Sequence, residues 1–222
     1  MTPIEGAVFD LDGTLLDSMN AWDGVGESFL ESQGIKPPPD LRQVLAPLSF
    51  SQTARYFQSL GVGLGEEAII ARLNGYVEKR YRESLPLKPG AKRLVEWFSG
   101  RGVRLCVATA THPELAKAAL SRTGLLPFFS FVCSCSQVGC GKDQPSFYEE
   151  VARRLRTPKE ATLVFEDALY CIRSAKAAGF LVAGVFDGSE EKQNEVRERA
   201  DLYLPSLQDA PQAIGAWGEE RR

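Results

Sequence analysis

Short apolar runs alternate with amphipathic segments along most of the chain. Runs typical of buried strands cover about residues 4–9, 103–108, 129–133, 162–165 and 181–186, and a shorter one covers 202–204. Segments with apolar residues at helical spacing lie between them, at about 90–100, 113–122 and 144–155, and a fourth follows Glu166-Asp167 and ends at Gly179. Repeated strand–helix alternation predicts an α/β fold, with a Rossmann-like parallel sheet and helices on both faces.

One stretch interrupts this alternation directly after the first strand. Its apolar residues have helical spacing at about 18–33, 49–60 and 66–84, and Pro37-Pro38-Pro39 forms a stiff loop inside it. We therefore expect residues 1–16 and 86–222 to form the core, and residues 17–85 to form an inserted all-helical domain. The chain should pass from the core into the inserted domain at 15–18 and return to the core at 85–90. Residues 218–222 are expected to be a polar tail.

Composition indicates an ordinary soluble globular protein, with 44% hydrophobic and 25% charged residues. The net charge of −3 provides no broad basic surface for nucleic acid or an anionic membrane. No apolar run is long enough to span a bilayer, and no signal peptide is evident, so we expect a cytoplasmic protein. We also expect a monomer that acts on a small molecule.

The five cysteines are an odd number, which favours reduced, mostly buried thiols. Cys133, Cys135 and Cys140 offer three thiolates close together, but they form no CxxC pair and have no histidine nearby. A zinc site is therefore not expected.

Polar residues cluster where the predicted strands end. Asp10 and Asp12 follow the first strand, where residues two apart share a face of an extended backbone. The other strand ends supply Thr109 with Ala110, Lys142 and the pair Glu166-Asp167. Each has a simpler interpretation as a turn, cap or helix-start residue, but together they lie on the side of the sheet where open α/β folds bind ligands.

Four acids with one lysine suit a divalent metal and an anionic substrate. Asp10 would attack phosphorus as a carboxylate nucleophile, and Asp12 would act as general acid and then general base. Asp10 and Asp167, helped by Glu166, would hold Mg2+.

The remaining groups would bind the phosphoryl oxygens. The Thr109 hydroxyl, the Ala110 backbone N–H and the Lys142 ammonium are placed after neighbouring strands, where they could stabilise charge on the transferred group.

The complete set of motifs resembles a known superfamily. Asp10-Leu-Asp12-Gly-Thr14, Thr109-Ala-Thr111, Gly-Lys142-Asp and Phe-Glu166-Asp167 look like the four motifs of the haloacid dehalogenase superfamily. The helical insert and the sequence ending at Gly179 resemble its branch of β-phosphoglucomutases and small-cap phosphatases. The resemblance implies Mg2+ dependence, a helical cap that closes over the substrate, and the backbone carbonyl of Asp12 as a further metal ligand.

Asp12 bears on the reaction, because the dehalogenases and phosphonate hydrolases that this chain resembles lack an aspartate there. The β-phosphoglucomutases are similar, but carry a cap histidine where this chain has Trp22, and an arginine where it has Phe50. The only histidine, His112, follows the second strand of the core. We therefore expect a phosphatase, with a mutase as the alternative and a non-catalytic phosphoacceptor as a more distant one.

Three cap residues are candidate substrate contacts: Trp22, Phe50 and Arg55. The aromatic pair could equally be core packing, since aromatic residues at helical spacing usually are, and Arg55 could be solvated.

Overall fold

The computed structural model describes residues 4–45, 48 and 50–220. Its centre is a six-stranded sheet in the order β3-β2-β1-β4-β5-β6, in which every neighbouring pair is parallel. The predicted α/β class is confirmed. The strands are β1 Gly6–Phe9, β2 Arg104–Thr109, β3 Val132–Ser134, β4 Thr162–Glu166, β5 Leu181–Val185 and β6 Leu202–Leu204.

Helices cover both faces of the sheet, because successive buried residues of a strand point to opposite sides. Phe9 of β1 packs into one apolar cluster with Phe98 and Phe165, whereas its neighbour Val8 packs into a second cluster with Phe147. The helices are α1 Met19–Trp22, α2 Val25–Ser32, α3 Leu41–Leu45, α4 Phe50–Ser59, α5 Glu66–Glu83, α6 Ala91–Ser99, α7 Pro113–Arg122, α8 Cys135–Val138, α9 Pro145–Leu155, α10 Leu169–Ala177, α11 Gln193–Arg199 and α12 Ala210–Glu220.

Three local predictions differ from the structure. The helix expected at 18–33 is two helices, because Gly24 adopts a left-handed conformation with φ of 71° between α1 and α2. The helices α3, α8 and α12 were not predicted. Of the polar tail expected at 218–222, residues 218–220 form the end of α12, which is held by the buried Ile214, and residues 221 and 222 lie outside the described residues.

The helical block α1–α5 is inserted between β1 and α6, and two adjacent chain crossings connect it to the sheet. Leu16 and Leu87 form an antiparallel bridge, and the Lys88 backbone N–H donates to the Leu15 carbonyl at 2.9 Å. Near these crossings the guanidinium of Arg122, on α7, donates to backbone carbonyls at the end of α5 and just after it. In the part of the chain that is described, no helix has the length and apolarity needed to cross a membrane.

Candidate active site

The site begins where β1 ends. The Asp10 backbone N–H donates to the Phe165 carbonyl at 3.0 Å, which continues the ladder between β1 and β4 by one residue. The ring of Phe9 stacks on that of Phe165, with centroids 4.4 Å apart, and fixes the two strand ends together. Asp10 and Asp167 are therefore both held, buried, at the same edge of the sheet.

Gly13 permits the tight turn that follows. Its φ of 81° lies in the left-handed region, which favours glycine. A Cβ at this position would also collide with the carboxylate of Asp167. The motif thus needs glycine for two reasons, one conformational and one steric.

Three buried carboxylates converge at this edge: oxygen atoms of Asp10, Glu166 and Asp167 lie within 4.8 Å of one another. Lys142 is 4% exposed, and its Nζ lies 2.5 Å from Asp10 Oδ1 and 2.6 Å from Glu166 Oε1. The Thr14 hydroxyl donates to Asp167 Oδ1 at 3.0 Å. The sequence-predicted acids and lysine are therefore brought together.

The negative charge of this cluster exceeds its positive charge, since three carboxylates face one ammonium. Burial, together with the Asp10 carboxylate, outweighs Lys142 and raises the pKa of Glu166 to about 7. Burial and the neighbouring Asp10 and Glu166 carboxylates raise the pKa of Asp167 well above its usual range. Burial alone would lower the pKa of Lys142, but the carboxylates of Asp10 and Glu166 outweigh it and raise this pKa well above its usual value, so the lysine stays charged.

The cluster fits a hard divalent cation such as Mg2+, which prefers carboxylate oxygens. Glu166 Oε1 is occupied by Lys142 and by the Tyr148 hydroxyl at 2.8 Å, but Glu166 Oε2 is buried and has no hydrogen-bond partner. Buried polar atoms normally have a partner, so this oxygen indicates a missing positive group. Asp10, Glu166 and Asp167 would hold it, and the Asp12 carbonyl remains a predicted ligand.

Asp12 has a separate environment made of hydroxyl groups. Its Oδ1 accepts from the Ser18 hydroxyl at 2.6 Å and from the Tyr81 hydroxyl, and its Oδ2 accepts from Thr111 at 2.7 Å. The Trp22 indole N–H in turn donates to the Tyr81 oxygen at 2.8 Å. Burial and the nearby Asp10 charge raise the pKa of Asp12, although the three hydroxyls oppose the shift.

Sequence reasoning missed Ser18, Thr111 and Tyr81 as partners of Asp12. Tyr81 lies in the segment at about 66–84, whose helical spacing predicts no more than burial, and it is indeed fully buried. The available signal was its hydroxyl, because a buried tyrosine usually has a hydrogen-bond partner.

The two predicted phosphate-binding positions are the last residue of β2, Thr109, and the residue after it, Ala110, and both line the cavity described below. The Thr109 hydroxyl accepts from the Thr111 backbone N–H at 3.0 Å and so shapes the turn, while Ala110 is half-buried. Their contact with phosphate stays a prediction.

A cavity of about 420 Å³ lies between the strand ends and the helical block. Asp10, Asp12 and Lys142 line its floor, and Trp22 and Phe50 line it from the other side. The two cap aromatic residues thus face the site as well as each other.

Arg55 is not brought to the cavity. Its side chain is 70% exposed and pairs with Glu66 at 3.3 Å. The structure therefore gives no support to a substrate contact by Arg55.

Over the described ranges of the chain, the cysteines form no metal-binding group of their own, and one of them, Cys171, lines the cavity beside the carboxylates. Cys133 and Cys135 are buried and Cys140 is half-buried, and all five thiols are free. Among the described residues, the only group of three or more potential metal ligands is the acidic cluster at Asp10, Glu166 and Asp167.

Buried carboxylates and a lysine gathered at the carboxyl edge of a parallel sheet are typical of the ligand-binding site of an α/β enzyme. A family model of haloacid dehalogenase-like hydrolases matches residues 4–179, most of the chain. The protein belongs to this family, which confirms the resemblance found from its motifs.

Similar proteins include several named phosphatases. The phosphorylated carbohydrates phosphatase of Thermotoga maritima is 27% identical over 177 residues, covering 79% of this chain and 82% of that protein. A "probable pseudouridine-5'-phosphatase" of Drosophila melanogaster is 30% identical over 220 residues, covering 94% and 92%. The crystal structure of CbbY from Rhodobacter sphaeroides with phosphate superposes with a TM-score of 0.80 at 22% identity, covering 93% and 96%, and supports the same fold.

Proposed function

We propose that the protein is a Mg2+-dependent phosphatase that hydrolyses a small phosphate monoester through an aspartyl-phosphate on Asp10. The observation that carries the proposal is the contrast between the two aspartates of one strand end. Asp10 lies among carboxylates and against Lys142, whereas Asp12 lies among hydroxyls. Two acids in such different environments are suited to different roles.

In the first step, an Asp10 carboxylate oxygen attacks phosphorus and the bond to the ester oxygen breaks. Asp12 gives its proton to the leaving alkoxide, for which its raised pKa is favourable. In the second step Asp12 takes a proton from water, which attacks the same phosphorus and releases inorganic phosphate and free Asp10.

Other groups bind and orient the phosphoryl group. Lys142 would neutralise its oxygens, and the Thr109 hydroxyl and Ala110 N–H would donate to them, as needed where charge builds up in the transition state. Mg2+ held by Asp10, Glu166 and Asp167 would supply charge shielding and orientation of the phosphoryl group.

The helical block would act as the cap of this enzyme. We propose that residues 17–85 form a domain that moves relative to a core of residues 1–16 and 86–222, since only two adjacent crossings connect them covalently. Closure would exclude water from the reacting groups. A cytoplasmic monomer without nucleic-acid or membrane partners remains our expectation from composition.

A phosphatase is favoured over a mutase because a mutase must bind a second phosphate in its cap. Within the described residues that line the cavity, the only cation of the helical block is Arg42, whose side chain is 66% exposed and pairs with Asp23 at 3.3 Å. Two of the similar proteins described above also carry names of phosphatases, one of them as a probable phosphatase.

The test is hydrolysis of a generic aryl phosphate with Mg2+ by wild type and by Asp10→Asn. Removing the nucleophile should lower kcat by at least about 10³-fold. Asp209→Asn is the control, because Asp209 is an exposed acid between β6 and α12 that does not line the cavity, and it should leave kcat unchanged. Activity that is insensitive to Asp10→Asn would exclude this mechanism.

A further inference from the structure

The part of the cavity built by the helical block is mostly apolar. Six of its side chains, which we call the cap wall, are Trp22, Val25, Leu45, Phe50, Phe57 and Leu73. They come from helices α1 to α5 and continue into the apolar core of the block. The cavity therefore extends from the carboxylates into a hydrocarbon-lined recess.

Two aromatic rings form the part of the cap wall that is linked to Asp12 by hydrogen bonds, through the Tyr81 hydroxyl. The rings of Trp22 and Phe50 lie 5.5 Å apart at 54°, and the Trp22 indole N–H is already used by the Tyr81 hydroxyl. The indole thus has its only donor satisfied within the protein, and presents a hydrocarbon surface rather than a hydrogen-bonding group.

The polar side chains of the helical block that line the cavity are Asp23, Glu27, Arg42 and Thr53, and none of them belongs to the cap wall. Arg42 and Asp23, which are 66% and 54% exposed, form an ion pair with each other. In the described part of the chain, buried side-chain N and O atoms without a partner occur on Asn74, Glu166 and Ser174. Neither Asn74 nor Ser174 lines the cavity. The cap wall itself consists of apolar side chains, and its one polar group, the Trp22 N–H, is already bonded to Tyr81, so the wall offers no free donor or acceptor to a chain of hydroxyls.

We propose that the alcohol portion of the substrate is apolar and carries a ring or a branched hydrocarbon, rather than a chain of hydroxyls; this rests on the proposed phosphatase function. Sugar hydroxyls would lose water against the cap wall without gaining partners, which is unfavourable. A hydrocarbon group would gain from burial there. A volume of about 420 Å³ is enough for such a group, because small-molecule pockets range over roughly 300–1,000 Å³.

The proposal separates this chain from a relative named for phosphorylated carbohydrates, to which it is 27% identical. The chemistry of the strand ends can be shared between two such enzymes while the cap selects a different alcohol, since function depends on the site and not on the fold.

The test compares phenethyl phosphate with sorbitol phosphate. Both are dianions with a primary alkoxide as leaving group, so that they differ in the polarity of the alcohol. We expect kcat/KM with Mg2+ to favour phenethyl phosphate at least about tenfold, because one methylene in an apolar pocket already discriminates roughly 10–200-fold.

Two variants of α4 link this preference to the cap wall. Phe50→Ser should reduce the preference several-fold, mainly by raising KM for phenethyl phosphate. Tyr56→Ser is the matched control, because Tyr56 is a half-buried aromatic residue of the same helix that does not line the cavity. Its preference should equal that of the wild type.

Calorimetric binding of both esters to Asp10→Asn, with Mg2+ present, measures the preference without turnover. Tighter binding of phenethyl phosphate supports the apolar substrate class. If the wild type hydrolyses neither ester, that result would overturn the proposed phosphatase function and would leave the binding preference as a separate finding. Equal or tighter binding of sorbitol phosphate, or an unchanged preference in Phe50→Ser, would overturn the apolar substrate class while leaving a phosphatase intact.

Discussion

Replacing Glu166 by glutamine should stabilise the metal-free protein. The amide keeps the shape of the side chain and can still accept from Lys142 and Tyr148, but it removes one of three buried negative charges. Natural active sites often retain such unfavourable charge because function requires it.

The magnitude follows from the pKa of Glu166, which burial raises from 4.5 to about 7. At about 1.4 kcal/mol per pH unit, this corresponds to about 3 kcal/mol of destabilisation when the carboxylate is ionised. The folded state binds the Glu166 proton more tightly than the unfolded state does. The contribution of the protonated side chain to the free energy of unfolding is therefore fully present below pH 4.5 and is lost as the pH rises through about 7.

The assay is urea unfolding in EDTA, at about pH 4.5 and about pH 8, of wild type, Glu166→Gln and the exposed control Glu160→Gln. Wild type and Glu166→Gln should be similar at the lower pH, and at the higher pH Glu166→Gln should be more stable by about 2–3 kcal/mol. Mg2+ should stabilise the wild type at the higher pH much more than it stabilises Glu166→Gln.

Two results would refute this reasoning. If Glu166→Gln is less stable than wild type at about pH 8 in EDTA, the carboxylate is compensated in the folded protein without a metal. If Mg2+ stabilises both proteins equally, Glu166 does not contribute to the cation site.

Two further substitutions test the environment of the aspartates. Tyr81→Phe removes a hydroxyl that donates to Asp12, so the free energy of unfolding should fall by about 1–3 kcal/mol. The kcat should fall more for alkyl esters than for aryl esters, because aryl leaving groups need less acid assistance. An equal fall for both ester classes would contradict a link to Asp12. Gly13→Ala should lower the free energy of unfolding by about 1–3 kcal/mol, and it should weaken Mg2+ binding in calorimetry because the added Cβ would collide with Asp167. Gly34→Ala is the control: Gly34 also has a positive φ, of 75°, but nothing lies within 4 Å of the added Cβ, so Mg2+ binding should be unchanged. Equal Mg2+ affinity in the two glycine variants would show that the collision at Gly13 is unimportant.

The core of the site could be predicted because its residues lie at the ends of strands or in the segments that follow them. Buried strands have a strong sequence pattern, and parallel pairing brings their carboxyl ends to one edge, so Asp10, Lys142 and Glu166 could be placed together without coordinates. The chemistry of these residue types then assigned them distinct roles, and the family resemblance implies the same roles.

The helical block was less predictable because helical spacing reports burial but not what the buried face contacts. Tyr81 has the spacing of a core residue, yet its hydroxyl reaches Asp12 across the boundary between block and sheet. Arg55 lies on the same block and could have faced either way, and its pairing with Glu66 directs it to the surface. The break at Gly24 depends on a single left-handed residue, which periodicity does not reveal.

The claim that Asp10 carries the phosphoryl group is tested most directly by chemical trapping in Asp12→Asn. An aryl phosphate needs little acid assistance to leave, so the first step should proceed, while the loss of the base should slow hydrolysis of the intermediate. Borohydride added after an acid quench would reduce an aspartyl-phosphate, and peptide mass spectrometry would locate the product. The account predicts homoserine at residue 10 that depends on substrate and Mg2+; turnover without modification at that residue, or modification at another acid, would contradict it.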